Sequence, residues 1–189
     1  MQWFKAAEKF NDALASSDPT PGGGAAGAMA GAMGCCLALM ALQTTCKKKA
    51  TPQEIKARLV PSLHKLTALK TQLNHFIQED GEAYSAYLVA KQLPKENSTR
   101  SKAIQDALIY AARVPMDTAT TAIACLREIE LIKADVAPVI LSDIYCAQHL
   151  LQTAVRCAVE NIKANLTFIQ DEAWIQKLTR AIEVFLKSC

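Results

Sequence analysis

The chain has 189 residues, with 21 Lys and Arg against 18 Asp and Glu for a net charge of +3. That length fits one domain spanning 1–189, able to bury its own core, and the charge is too weak and too dispersed for a nucleic-acid footprint. The seven cysteines, Cys35, Cys36, Cys46, Cys125, Cys146, Cys157 and Cys189, form neither a disulfide framework nor a CxxC zinc pair and read as reduced core thiols.

The opening MQWFKAAEKFNDALASS lacks the basic start, apolar run and cleavage site of a secretory signal, so a cytoplasmic location is expected. Alanine and leucine dominate, and apolar residues recur at spacings of three and four, which predicts an all-α chain. Helices are expected from Trp3 to Ser16, Gly24 to about Thr45, Pro52 to Gln92, Ser98 to Ile132, Pro138 to Phe168 and Glu172 to Lys187. Long helices with short connections favour an antiparallel bundle. Pro61 and Pro115 predict a break or kink in the second and third long helices, because each removes a backbone donor and crowds the preceding turn.

Between Gly22 and Leu42 there is no charge, the length of a membrane span. The segment is nonetheless mostly alanine and glycine, so a buried helix is expected instead, with Gly27, Ala30, Gly31 and Gly34 forming a small-residue ridge for close approach of a helix from the same chain or from a second copy. No membrane association is expected. Pro21, Gly22, Gly23 and Gly24 precede it without a GxxxxGK[ST] phosphate loop. They either serve a sharp turn or present bare N–H groups to an anion at the helix start.

Asp80, Tyr84, Tyr87 and Lys91 fall on one helical stripe, suited either to a flat heteroaromatic ligand or to a half-buried boundary. Glu79 and Glu82 read as exposed charges. Asp143 interrupts the apolar run VAPVILSDIYCAQHLL; it is either a helix-terminal group or a carboxylate with a raised pKa and a catalytic role. Asn161 and Asn165 lie one turn apart on the same helix, but eighteen residues place Asn161 about 27 Å from Asp143 at 1.5 Å per residue, so either they belong to separate features or a dimer brings opposite ends of two bundles together. His64, His75 and His149 fall in no HxxxH or HExxH spacing, so no metal site is expected.

In order along the chain, PGGG (Pro21 to Gly24), DGEAYSAYLVAKQLP (Asp80 to Pro94), AARVP (Ala111 to Pro115), SD (Ser142, Asp143) and NIKAN (Asn161 to Asn165) resemble the cyclodeaminase/cyclohydrolase family, with Ala25 standing where the family usually has serine after PGGG. The resemblance implies an all-α homodimer acting on one-carbon derivatives of tetrahydrofolate, as a formiminotetrahydrofolate cyclodeaminase or a methenyltetrahydrofolate cyclohydrolase. It implies no cofactor beyond the folate substrate itself. Asp80 or Asp143 becomes the acid/base carboxylate; Pro21, Gly22, Gly23, Gly24, Tyr84, Tyr87, Asn161 and Asn165 become substrate-binding, and the small-residue helix becomes the dimer seam. The competing class is a non-catalytic helical folate-binding or scaffold dimer.

Overall fold

The computed structural model describes residues 2–188, and the described residues contain six α-helices and two 3-10 turns without a strand. The helices are α1 (Gln2–Leu14), α2 (Gly23–Lys47), α3 (Gln53–Gln92), α4 (Arg100–Ile132), α5 (Leu141–Leu166) and α6 (Glu172–Leu186), and the 3-10 turns, Lys133–Asp135 and Pro138–Ile140, join α4 to α5. The all-α expectation holds, and the predicted helix ends fall within three residues of the observed ones. Cys189 lies outside the described residues.

Helices α2 to α5 form an antiparallel four-helix bundle, and cross-helix contacts fix the register. Between α2 and α3, Ala25 pairs with Asp80 and Cys35 with Leu66. Between α3 and α4, Ser62 pairs with Glu128 and Thr121 with Gln72. Between α4 and α5, Ala111 meets Asn165 and Glu130 meets Gln148. In every pair one number rises as the other falls. Helix α6 starts where the Asp171 carboxylate accepts the N–H groups of Ala173 and Trp174, a side-chain N-cap, and it sends Leu178 and Phe185 into the core.

The small-residue ridge packs within the chain. A Cβ added at Gly27 would lie 2.8 Å from Cys157 Cβ, and one at Gly34 would lie 2.8 Å from the Ala147 carbonyl and 2.9 Å from Leu151 Cγ. Glycine therefore lets α2 and α5 approach at a distance no larger residue permits. Its neighbours are the large core residues: Leu42, Leu66, Leu73, Ile144, Leu151 and Ile162 are all fully buried, each stabilising the fold by about 1.5–3 kcal/mol. Helix α2 is long and apolar enough to cross a membrane, yet 67% of its apolar window is buried inside the bundle.

Neither proline breaks its helix: α3 runs through Pro61 and α4 through Pro115. Each removes the N–H that a helix would aim at the carbonyl four residues back. At Pro61 that carbonyl belongs to Ala57, an exposed residue, where water can solvate it. At Pro115, a buried residue, the carbonyl belongs to Ala111 and is taken by the Asn165 side chain of α5 at 3.1 Å.

Two surface details differ from expectation, and a third concerns the first helix. Cys36 and Cys146 are exposed, whereas Cys35 and Cys125 are buried as expected of core thiols. Glu79 is largely buried, its side chain 16% exposed between His75 and Arg113 at 3.8 and 3.9 Å. Helix α1 buries none of its residues, leaving Trp3 83% and Phe4 68% exposed.

Candidate active site

At one end of the bundle the helices differ in length, and the mismatch makes a cleft. Helix α2 begins level with Asp80, but α3 runs a further twelve residues to Gln92. This overhang carries Tyr84 and Tyr87 past the start of α2. The turn before α2 supplies Pro19, Thr20, Gly22 and Gly23 to one wall, and α3 supplies Asp80, Tyr84 and Tyr87 to another. Leu108 and Ala111 of α4, with Asn161 and Asn165 near the end of α5 and Phe168 in the turn after it, close the remainder. The cleft measures about 360 Å³, within the range of about 300–1,000 Å³ usual for small-molecule sites.

Asp80 sits where α2 starts. Its Oδ2 accepts the backbone N–H of Ala25 at 3.0 Å, so a residue 55 positions away caps the helix that Gly22, with no side-chain oxygen, leaves uncapped. The approach depends on Gly24: a Cβ there would lie 2.6 Å from Asp80 Cγ. Burial pushes the Asp80 carboxyl above the ordinary carboxylate range, and the single Ala25 N–H only partly offsets it. The result is a carboxylate made more basic than usual while facing a cleft.

Around it the polar groups are oriented. Asn161 Nδ2 donates to the Cys157 carbonyl at 2.9 Å, and the same nitrogen lies 3.3 Å from the Cβ position of Gly23. Asn165 Nδ2 donates to both the Ala111 carbonyl at 3.1 Å and the Asn161 carbonyl at 3.0 Å. The Tyr84 and Tyr87 ring centroids are 6.5 Å apart at 48°, and the Lys91 ammonium lies 5.5 Å over the Tyr87 ring. Polar acceptors on one side and two aromatic rings on the other suit a flat heterocycle carrying N–H groups.

The structure thus brings Asp80, Gly22, Gly23, Tyr84, Tyr87, Asn161 and Asn165 to one cleft, with Gly24 directly behind Asp80. Pro21 lies in the same turn, and the Thr20–Pro21 peptide is cis. Asp143 is elsewhere: it occupies the first turn of α5, at the opposite end of that helix from the asparagines. There a carboxylate is favoured by the helix dipole, the helix-terminal reading of this residue. The sequence reading missed Phe168 and Thr20. Phe168 was within reach, since Asn161, Asn165 and Phe168 follow i, i+4, i+7 spacing; Thr20 enters the wall through the turn alone. Among the described residues no cluster of three or more His, Cys, Asp or Glu could hold a metal ion.

The family model described as formiminotransferase-cyclodeaminase matches residues 6–184. A methenyltetrahydrofolate cyclohydrolase of Methylorubrum extorquens is 33% identical over 95% of this chain and 88% of its own length. The formimidoyltransferase-cyclodeaminase of Rattus norvegicus is 30% identical over 88% of this chain; the match covers 31% of that longer protein. Among solved structures, formiminotetrahydrofolate cyclodeaminase from Thermotoga maritima superposes with a TM-score of 0.85 over 96% of this chain and 88% of its own, at 27% identity. The chain belongs to the formiminotransferase-cyclodeaminase family.

Proposed function

We propose that this member of the formiminotransferase-cyclodeaminase family is a one-carbon tetrahydrofolate enzyme that acts as a methenyltetrahydrofolate cyclohydrolase, with Asp80 as its acid/base group. The observation that carries the reading is the desolvated Asp80 carboxylate, held by one backbone N–H and facing the aromatic-walled cleft. The Methylorubrum extorquens cyclohydrolase, matched along most of both chains, supports this choice of substrate.

The methenyl carbon bridges two nitrogens and is cationic. Water adds to it, and the ionised Asp80 takes the proton, giving a neutral tetrahedral carbon. As one carbon–nitrogen bond breaks, the carboxylic acid returns that proton to the departing nitrogen, and the added hydroxyl releases its own proton to solvent as it becomes the carbonyl of a formyl group on the other nitrogen. One carboxyl group with a raised pKa serves both steps, since general acid–base catalysis works best with a pKa closer to the working pH. Tyr84 and Tyr87 offer faces for the pterin ring, and the glycine turn lets its N–H groups approach the ligand. A second reading is favoured by the likeness to the Thermotoga maritima formiminotetrahydrofolate cyclodeaminase. There the ring-closing nitrogen attacks a formimino carbon, and Asp80 delivers the proton to departing ammonia. Absorbance of the methenyl compound separates the two: it falls under hydrolysis and rises with ammonia under deamination.

The working form is a homodimer in the cytoplasm. Support comes from two uncovered apolar faces: α1 exposes Trp3 and Phe4, and α2 exposes Met33, Cys36 and Met40 on a stripe without charge. A helix without buried residues gains little by folding alone, whereas arms exchanged about a two-fold axis cover both faces. Light scattering should give twice the chain's 20.5 kDa, falling toward the single-chain mass in a Trp3→Asp, Phe4→Asp variant. A wild-type protein of single-chain mass would overturn the dimer.

A further inference from the structure

We infer that Pro115, which lies outside the cleft, is a positioning residue that turns Asn165 into a fixed hydrogen-bond acceptor for an N–H group of the ligand. An asparagine amide offers two donors on nitrogen and two lone pairs on oxygen, and nothing in its shape decides which end faces a ligand. Here the surroundings decide. Position 115 would, in an uninterrupted helix, donate its N–H to the carbonyl of Ala111. Proline has no N–H to give, and Pro115 is buried, so a bare carbonyl is left where α4 meets α5. An unpaired carbonyl in such a place is costly. The Asn165 Nδ2 fills it at 3.1 Å and places its second hydrogen on the Asn161 carbonyl at 3.0 Å.

Both amide hydrogens are therefore committed to the protein, and Oδ1 is what Asn165 has left to offer the cleft that it lines. Turning the amide round would set its oxygen against two carbonyl oxygens, so the orientation is enforced by repulsion as well as by bonding. Pro61 provides the internal contrast. It too deprives a carbonyl of its donor, but Ala57 is exposed, and among the described residues no side chain is held by the loss. The two prolines thus have the same local chemistry and different consequences, because only one stands over a neighbouring helix at the site.

The ligand class follows: Asn165 Oδ1 takes a group that donates, such as the amino or ring N–H edge of a heterocycle, and not a carbonyl or carboxylate. This specificity rests on the folate reading above, but the coupling between Pro115 and Asn165 does not. It is tested by a thermodynamic cycle read from urea denaturation midpoints. With Pro115 present, Asn165→Ala orphans the Ala111 carbonyl and should lower the midpoint clearly. In a Pro115→Ala background the restored backbone N–H satisfies that carbonyl, so the same Asn165→Ala change should cost less than half as much. Equal losses in the two backgrounds would overturn the coupling.

Two readouts stand beside the cycle. In wild-type protein the Asn165 side-chain amide protons should exchange slowly with solvent, and Pro115→Ala should speed their exchange at least fivefold while Pro61→Ala leaves it unchanged. An unaltered rate in Pro115→Ala overturns the proposal even if the double variant does not fold. With methenyltetrahydrofolate as substrate, Pro115→Ala should raise KM about fivefold with kcat changed less than twofold, since a loosened acceptor weakens binding before chemistry. A coupled cycle with no turnover of any folate would leave the positioning intact and sink the folate reading; turnover with an additive cycle would do the reverse.

Discussion

Two desolvated carboxylates, Asp80, half-buried at the cleft end of the bundle, and Glu128, buried toward its other end, experience opposite fates. Glu128, 4% exposed, is pushed up by burial, but the Lys65 ammonium at 2.6 Å and the Ser62 hydroxyl at 2.7 Å outweigh that and hold its pKa below the ordinary range. Among the described residues Asp80 has one backbone N–H and no cation, so burial wins and its pKa rises. Both side chains cross between helices and both fix register. The difference is the strength of compensation: a carboxylate paired with an ammonium and a hydroxyl stabilises the fold, whereas one held by a single backbone N–H remains available to exchange a proton.

The contrast breaks most visibly on substitution. Asp80→Asn should lower kcat by about 10²–10⁴-fold, the range of a lost general acid/base. It should do so without loss of the fold, because the amide oxygen can still accept from Ala25. Thermal unfolding gives the companion result. A raised native pKa means that ionising Asp80 costs stability, so its contribution is present at low pH and lost as pH rises through the native pKa. Near pH 7 Asp80→Asn should therefore melt no lower than wild type; a large drop in Tm would mean that the carboxylate is structural.

Next comes pH. The rising limb of kcat/KM should reflect a group above the ordinary aspartate value of about 3.9, and Asp80→Asn should abolish that limb. A limb at the ordinary value would place Asp80 in water. Glu128→Gln should give the opposite pattern, with kcat within twofold of wild type and about 1–2 kcal/mol of stability lost near pH 7, the scale of a hydrogen bond to a charged group with a half-exposed partner. For Glu128 the sign is reversed: a lowered native pKa contributes stability above the unfolded value, lost as pH falls through the native one. The wild-type advantage over Glu128→Gln should thus vanish in acid, as denaturation across pH will reveal. The smallest effect belongs to Asp143→Asn, with turnover changed less than threefold, since Asp143 lies at the other end of α5 from the cleft.

Helix positions were legible because periodicity and local stop signals determine them: DPTP, LPKENSTR and KADVAP bracket the helices observed. The aromatic stripe Asp80, Tyr84, Tyr87 was legible for the same reason. Choosing between Asp80 and Asp143 was not, because one lies on an aromatic stripe among polar neighbours and the other interrupts an apolar run, and only the register of α2 against α3 brings the start of one helix to the side of another. The register also decides that Glu79 is buried beside Arg113, and that the glycine ridge faces α5 in its own chain. Pro115 was read as a breaker because local rules count the lost N–H, while the donor that replaces it comes from Asn165, 50 positions away.

The decisive measurement follows methenyltetrahydrofolate by absorbance with purified wild-type protein and Asp80→Asn, corrected for spontaneous hydrolysis. Consumption by wild type at least a hundredfold faster than by a folded Asp80→Asn is the predicted result. Equal rates in the two would contradict the assignment of Asp80 as the acid/base group.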